Sequence, residues 1–301
     1  MAGRNGPRLA LMHRLHNEGF HVLADKPWLT DSADLPHLKA ITVGPPLAID
    51  IMTGRHSAIA DLRNTIIGTR SVFGALVGDT KRPALEFTSR RHLLKQVDDK
   101  PLKRPAWFYD ISVQGDGMVD IHSHYVDQAQ WIIADSHLFD ADRDVEILDA
   151  ERWTLEVPRP LFQKSTGELA FPDYLATSVN GDVLNLACNG RIDYRLLGIP
   201  VHHHCDWGLW ELEGGSDLHA FTARGENAEL TIRTGPETGF KSEIRLRIRD
   251  EAGLISVLQQ WSGATPGLEG RKSDDGYLLI MPPLASDRHE AQFPKVLDEF
   301  L

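Results

Sequence analysis

Hydrophobic and polar positions along this chain change their period part-way through. From Pro7 to Glu18, Leu9, Met12 and Leu15 recur every third residue, the spacing of one helix face. Pro7 suits a helix start. Gly19 predicts its end, and Phe20-His21-Val22-Leu23-Ala24-Asp25 predicts a short apolar strand directly after it. A second strand-like run, Leu47-Ala48-Ile49-Asp50-Ile51-Met52, follows Gly44-Pro45-Pro46. Residues 1–54 therefore read as α–β–β, a piece of an α/β sheet. A longer helix is expected from about Ile59 to Phe73, and Lys81 to Pro105 reads as polar loop. Gly115-Asp116-Gly117 is a turn, and the helix that opens around Asp120 should bury Ile121, Tyr125 and Ala129.

Beyond that helix the pattern becomes antiparallel. Asn180-Gly181 and Asn189-Gly190 are tight-turn dipeptides between alternating apolar runs, so Ser178-Val179, Val183 to Leu186 and Ile192 to Leu197 are expected to form a meander. Glu229 to Arg233 and Glu243 to Arg249 alternate strictly, each with one apolar and one charged face. The Arg245, Arg247 and Arg249 stripe reads as a solvated sheet face or a polar subunit contact. Phe293 to Leu301 again has helical spacing.

The bulk numbers limit the function classes. A chain of 301 residues holds two domains or one large one. Its net charge of −11 argues against broad nucleic-acid binding. No apolar run approaches the roughly eighteen residues of a membrane span. The start, Met1-Ala2-Gly3-Arg4-Asn5-Gly6, has no apolar signal-peptide core. Cys188 and Cys205 are the two cysteines, with no C-x-x-C pattern, which fits reduced, buried thiols and a cytoplasmic location.

The candidate chemistry lies at two places. Lys26 ends the first strand, where open α/β sheets bind ligands, and Pro27 holds its backbone extended. Asp120, His124 and Asp127 fall at i, i+4 and i+7, on one face of a helix. Lysine, histidine and carboxylate together can take the proton of an alcohol while an acceptor takes the hydride. Singly, each piece is also what a surface lysine or a solvated acidic helix face would show. His202-His203-His204-Cys205-Asp206 is dense in metal-ligand types, but a strand puts His202 and His204 on one face and His203 and Cys205 on the other. No metal site is expected there, and a metal-dependent hydrolase is the weakest reading. Trp28, beside Lys26, is placed in packing before sugar stacking. Asp98-Asp99 reads as solvated loop charge.

Taken together, the pieces match a known pattern. Val22-Leu23-Ala24-Asp25-Lys26-Pro27 resembles the Glu-Lys-Pro segment of the Gfo/Idh/MocA oxidoreductases. Gly117 to Asp127 resembles their Gly-x-x-x-Asp-x-Gly-x-His-x-x-Asp signature, with Asp120, His124 and Asp127 on it and His122 in place of the glycine. Asn5 stands at the spacing of the family's Thr-Pro-Asn loop, with Gly3-Arg4 replacing Thr-Pro. Arg104-Pro105-Ala106-Trp107-Phe108-Tyr109-Asp110 and His289-Glu290-Ala291-Gln292-Phe293 resemble its dehydrogenase branch. The fold so implied is α/β plus α+β: residues 1–54 as the C-terminal remnant of a Rossmann-type dinucleotide-binding domain, and residues 55–301 as a substrate and oligomerisation domain. The second domain is implied to be a large, mainly antiparallel sheet with helices on one face.

The same resemblance implies NAD or NADP as cofactor, approached by Asn5, Lys26 and Pro27, and a sugar, polyol or related hydroxy compound as substrate. His124 is then the general base, Lys26 polarises the substrate oxygen, and Asp120 orients the imidazole. No Gly-x-Gly-x-x-Gly occurs in the sequence, which motivates the expectation of a chain lacking most of its dinucleotide domain. The alternative is an inactive fragment acting as a binding or assembly module. A homodimer or larger homo-oligomer is expected, in which Glu229, Arg233, Glu243, Arg245 and Arg247 pair across a twofold axis.

Overall fold

A computed structural model describes residues 4–41, 48–50, 53–97, 100–134, 137–208, 217–249, 251–282 and 292–301. Helix α1 (Arg8–Asn17) ends at Gly19, whose φ is +86°, and β1 (Val22–Ala24) follows. Helix α2 (Leu35–Ile41) then leads to β2 (Ala48–Asp50), which pairs with β1 in parallel. Parallel neighbours need a crossover, and α2 is that crossover. The α–β–β reading missed it because the segment is seven residues long, too short to show a period. Leu9, Met12, Val22, Ala24 and Ile41 form a small core of their own, with Leu15, Trp28, Leu29 and Leu38 against it. Leu47, Ile51 and Met52 of the expected second strand lie outside the described residues, as do Asp98-Asp99 and His289 to Ala291.

The helix expected over Ile59 to Phe73 is two pieces, α3 (Ala58–Gly68) and α4 (Arg70–Phe73). Thr69 leaves the helical region at φ −77°, ψ 78°. Its hydroxyl donates back to the Thr65 carbonyl at 2.7 Å and accepts from Trp261 Nε1 at 3.1 Å. The break lets Val72 and Phe73 enter the main core.

The chain continues through β3 (Leu85–His92), a small hairpin of β4 (Gln96–Val97) and β5 (Lys100–Pro101), and helices α5 (Ile111–Gln114), α6 (Gly117–Ala134) and α7 (Ala141–Asp144). Then come β6 (Val145–Pro158), α8 (Arg159–Thr166), β7 (Val179–Asn180), β8 (Val183–Leu196), β9 (Ile199–Gly208), β10 (Leu218–Arg224), β11 (Ala228–Thr234) and β12 (Glu243–Ile248). Helix α9 (Glu251–Ala264), β13 (Glu269–Ser273), β14 (Gly276–Ile280) and α10 (Phe293–Phe300) complete it, the last as its period predicts. One large sheet runs β13-β14-β12-β11-β10-β3-β9-β8-β6, with β7 added on β8. All its pairs are antiparallel except β3 with β9. A helical layer covers it: α6 over β8 and β9, α4 over β11 and α9 beside β13, with α3 between α6 and α9.

Two strand expectations need correction. The polar loop placed over Lys81 to Pro105 contains β3, a central strand whose Leu85, Phe87 and Ser89 are buried. Its polar interior is tolerated because it is hydrogen-bonded: Ser89 Oγ accepts from Tyr125 and donates toward Cys205 Sγ at 3.5 Å. Asn189-Gly190 is not a turn but the middle of β8. Asn189 Oδ1 accepts from the Trp207 amide at 2.6 Å. Gly190 lies where a Cβ would collide with Met118, and a Cβ on Gly117 would collide with the Cys188 carbonyl. The two glycines let α6 lie directly on β8. The turn that reverses the chain is Leu197-Gly198, both at positive φ, as a two-residue hairpin requires.

The strict alternation of β11 and β12 is present, with Leu230, Ile244 and Leu246 inward. Their outward charges pair within the chain: Arg247 with Glu229 and Asp275, both at 3.1 Å, and Arg245 with Asp275 at 3.3 Å.

The close approach of α6 is testable. Gly117→Ala should destabilise the protein by about 1–3 kcal/mol through overpacking. Gly263→Ala, exposed in α9 with nothing within 4 Å of its Cβ position, should stabilise it by about 0.4–1 kcal/mol. Denaturant unfolding measures both, and wild-type stability in Gly117→Ala would refute the contact.

Candidate active site

Lys26 stands two residues beyond β1, and its peptide bond to Pro27 is cis. Helix α1 holds this turn. Arg8, 3% exposed, donates to the carbonyls of Asp25 and Pro27, the latter at 3.2 Å, one on each side of Lys26. Nothing in the local pattern marked Arg8 as more than a polar helix residue. So held, Lys26 reaches across to α6. Its Nζ donates to Asp120 Oδ1 at 2.7 Å and to the Asp120 carbonyl. Burial works against the Asp120 carboxylate, but the Lys26 charge and hydrogen bond, aided by His124 and Arg91, outweigh it and keep its pKa below the ordinary value.

Asp120, His124, Asp127 and Gln128 are less buried positions of α6, while Ile121, Tyr125 and Ala129 are buried as expected. Arg55 grips Asp127 through Nε at 3.0 Å and Nη2 at 2.7 Å. Arg63 Nη1 donates to Gln128 Oε1 at 2.5 Å. His122, in the signature's glycine position, turns inward among Tyr125 and His203, with ring centroids 5.7 and 5.9 Å away. Burial, with the His204 charge, lowers its pKa to about 4, so it is a neutral core ring.

Lys26, Asp120 and His124 line one cleft of about 740 Å³. Its other walls come from α3, β3, β9 and β10, with Phe87, Trp207 and Phe221 as apolar surface. Arg91 Nη1 and Lys95 Nζ share one oxygen of Asp217, at 3.0 and 2.7 Å, while the His92 amide donates to the other at 3.0 Å. Burial raises the Asp217 pKa, but these cations reverse the effect and bring it to about 2. Arg104 lies over the rings of Phe108 and Trp207, 4.4 and 5.5 Å from their centroids. His219 is lowered to about 3 by burial and by the Arg91 charge, so it is a neutral hydrogen-bonding group. The pattern along the chain singled out none of Arg63, Arg91, Lys95, Asp217 or His219. A second cavity of about 460 Å³, lined by Arg82, Arg224, Glu229 and Arg247 among others, shares no residue with the cleft.

The remaining sequence candidates fall elsewhere. Asn5 is 3% exposed, and its Nδ2 donates to the Gln114 carbonyl at 2.6 Å, tying the chain start to α5. Neither Asn5 nor Pro27 lines the cleft. Trp28 packs on the small core and donates to the Ala24 carbonyl at 3.2 Å. On β9 the faces divide as the period requires. His202 pairs with Asp193 at 2.7 Å and His204 with Asp206 at 3.0 Å, while His203 and Cys205 are buried. Among the described residues no group of three or more His, Cys, Asp or Glu is arranged to hold a metal ion.

Comparison with known proteins bears on the family and the fold. The family model described as "Putative oxidoreductase C terminal domain" matches residues 62–301. A structure described as a "putative oxidoreductase" from Parabacteroides merdae ATCC 43184 is 32% identical, with a TM-score of 0.93 over 99% of this chain and 71% of that one. The chain belongs to the Gfo/Idh/MocA oxidoreductases. Levoglucosan dehydrogenase in complex with NADH and levoglucosan matches this Gfo/Idh/MocA chain at 13% identity and a TM-score of 0.61, over 100% of this chain and 68% of that one. A "putative oxidoreductase" from Erwinia carotovora atroseptica SCRI1043 matches at 13% identity and a TM-score of 0.57, over 99% and 76%. At such identity these two show the fold alone. No curated protein matches the sequence. Among the described residues no helix is long and apolar enough to cross a membrane.

The Asp217 cluster has a pH signature. In the folded protein Asp217 stays ionised down to about pH 2 against an ordinary value of 3.8. Its stabilisation, about 2 kcal/mol from that difference, is complete above the ordinary value and lost as the pH falls toward the folded one. Asp217→Asn should therefore be less stable than wild type at neutral pH, with the gap closing in that acid window. A gap independent of pH in urea titrations would contradict it.

Proposed function

We propose that this chain is a nicotinamide-dependent dehydrogenase of a sugar, polyol or related hydroxy compound. Residues 1–54 belong to the dinucleotide side and residues 55–301 form the substrate and oligomerisation domain. The observation that carries the reading is the Lys26–Asp120 contact of 2.7 Å, which brings the lysine after β1 beside the helix that presents His124. The carboxyl end of a parallel strand is where open α/β sheets receive ligands, so the Lys26 end of the cleft fits a nicotinamide ring. The sequence contains no Gly-x-Gly-x-x-Gly for the pyrophosphate.

Oxidation of an alcohol removes a hydride from carbon and a proton from oxygen. A bound NAD or NADP supplies the hydride acceptor. Lys26 donates a hydrogen bond to the substrate oxygen and offsets the negative charge that develops on it. His124 takes the hydroxyl proton and passes it to solvent at the cleft mouth. Asp120 fixes the ammonium, and its carboxylate favours the charged form of His124 once the proton has arrived.

Assay of NAD- and NADP-linked oxidation across a panel of sugars and polyols tests this reading. Lys26→Met and His124→Asn should each lower kcat by about a hundredfold or more. Undiminished turnover in both variants would be fatal to the assignment. Calorimetry with each dinucleotide addresses the alternative of a binding or assembly module, which requires that neither binds.

We propose in addition that the charged face of β11 and β12 packs against its own copy in an isologous homodimer. Light scattering should give a dimer mass at low salt that declines at high salt; a monomer mass at both would exclude it.

A further inference from the structure

The cleft carries more positive charge than its reaction requires. Five cations line it, Lys26, Arg63, Arg91, Lys95 and Arg104, against the carboxylates of Asp25, Asp120 and Asp217. This excess sits in a protein of net charge −11. Lys26 is matched by Asp120, while Arg91 and Lys95 divide Asp217 between them. Arg104 donates only to the carbonyls of Leu93 and His92, both at 3.1 Å, and has no carboxylate in ion-pair contact among the described residues.

Arg63 is the more telling case. It is 4% exposed, and its hydrogen bonds go to two neutral amide oxygens, Asn64 Oδ1 at 3.0 Å and Gln128 Oε1 at 2.5 Å. Its Nη2 has no acceptor among the described residues. Phe221 and Trp131 lie against the guanidinium, 5.2 and 5.7 Å from it. Burial lowers its pKa to about 10, with Asp127 and Asp61 resisting, so it remains a cation at neutral pH. Asp127 and Asp61 act on Arg63 from a distance, but no carboxylate among the described residues contacts it. A buried charge so placed is costly, and a ligand carboxylate would relieve that cost through the two-pronged hydrogen bonding that guanidinium groups favour.

The position of Arg63 fits a substrate group distant from the reacting carbon. Gln128, its partner, is four residues along α6 from His124, a rise of about 6 Å. Asp120, the partner of Lys26, lies four residues the other way. Resting on the dehydrogenase reading above, we propose that the substrate is a hydroxy acid of sugar size. Its reacting hydroxyl lies at Lys26 and His124, and its carboxylate several bonds away at Arg63, with Arg104 adding long-range attraction.

Calorimetric titration of the wild-type chain with matched pairs tests this without dinucleotide or turnover: gluconate against glucitol, and galacturonate against galactose. The acid of each pair should bind about tenfold more tightly or better, and high salt should erode the difference. Arg63→Gln should lose most of the preference and Arg63→Lys retain part of it, with melting curves reporting whether each variant folds. Equal affinity for acid and neutral partner in the wild type would overturn the proposal even if no variant folds. Tighter binding of a sugar phosphate than of either acid would overturn it in favour of a phosphate. Acid preference in a chain that oxidises nothing leaves the carboxylate subsite standing and removes the dehydrogenase reading; turnover of neutral sugars without acid preference does the reverse.

Discussion

The contact between Lys26 and Asp120 joins two parts of the molecule whose apolar cores are separate. On one side lies the small cluster of α1, β1 and α2; on the other, α6 on the large sheet. An ion pair so largely removed from water is strongly destabilised if one member is deleted, because the survivor is left charged and unpaired. Geometry here is therefore exacting. Arg8 fixes the lysine from behind through two carbonyls, and the glycines of β8 and α6 fix the aspartate by letting the helix lie directly on the strand. Both supports bear on the end of the cleft where Lys26 and Asp120 stand.

Around that bond the cleft is polar in an ordered way. Asp217 gathers two cations and a backbone amide, and His219 is kept neutral by burial; behind the cleft wall Asp127 is held by a two-pronged arginine and His122 is neutral in the core. Of the cleft's cations, Lys26, Arg91 and Lys95 are matched by carboxylates, and Arg63 and Arg104 have none in ion-pair contact among the described residues. Buried polar groups impose their own order on packing, since every unmade hydrogen bond costs free energy. A wall of this kind suits a ligand that is itself polar and anionic.

The strand readings show where pattern and structure part. Period alone placed α1, β1, the buried stripe of α6, the charged alternation of β11 and β12, and α10. It failed for β3, where Thr88, Ser89, Arg90, Arg91 and His92 look like loop. Their backbones pair with β9 and β10, and Ser89 bonds to Tyr125 of α6, partners that no local window contains. It failed again at Asn189-Gly190, where a turn dipeptide serves a helix contact: the asparagine caps a neighbouring strand's amide and the glycine makes room for Met118. Turn chemistry is local, but close approach between elements is not.

What the sequence determined by itself was that Asp120, His124 and Asp127 share one helix face; their pairing with Lys26-Pro27 came from the resemblance to a known family. A helical period sets residues four and seven apart on one face whatever the surroundings. The large antiparallel sheet followed in outline from alternation in its later strands. Only the tertiary structure decided which groups share the cleft. Arg63, Arg91, Lys95 and Asp217 come from α3, β3, the turn after it and the residue before β10. The ionisation of Asp217 depends on burial and on Arg91, 126 positions away in the chain. Asn5, which stands at the spacing of the family's loop, donates to the Gln114 carbonyl and does not line the cleft.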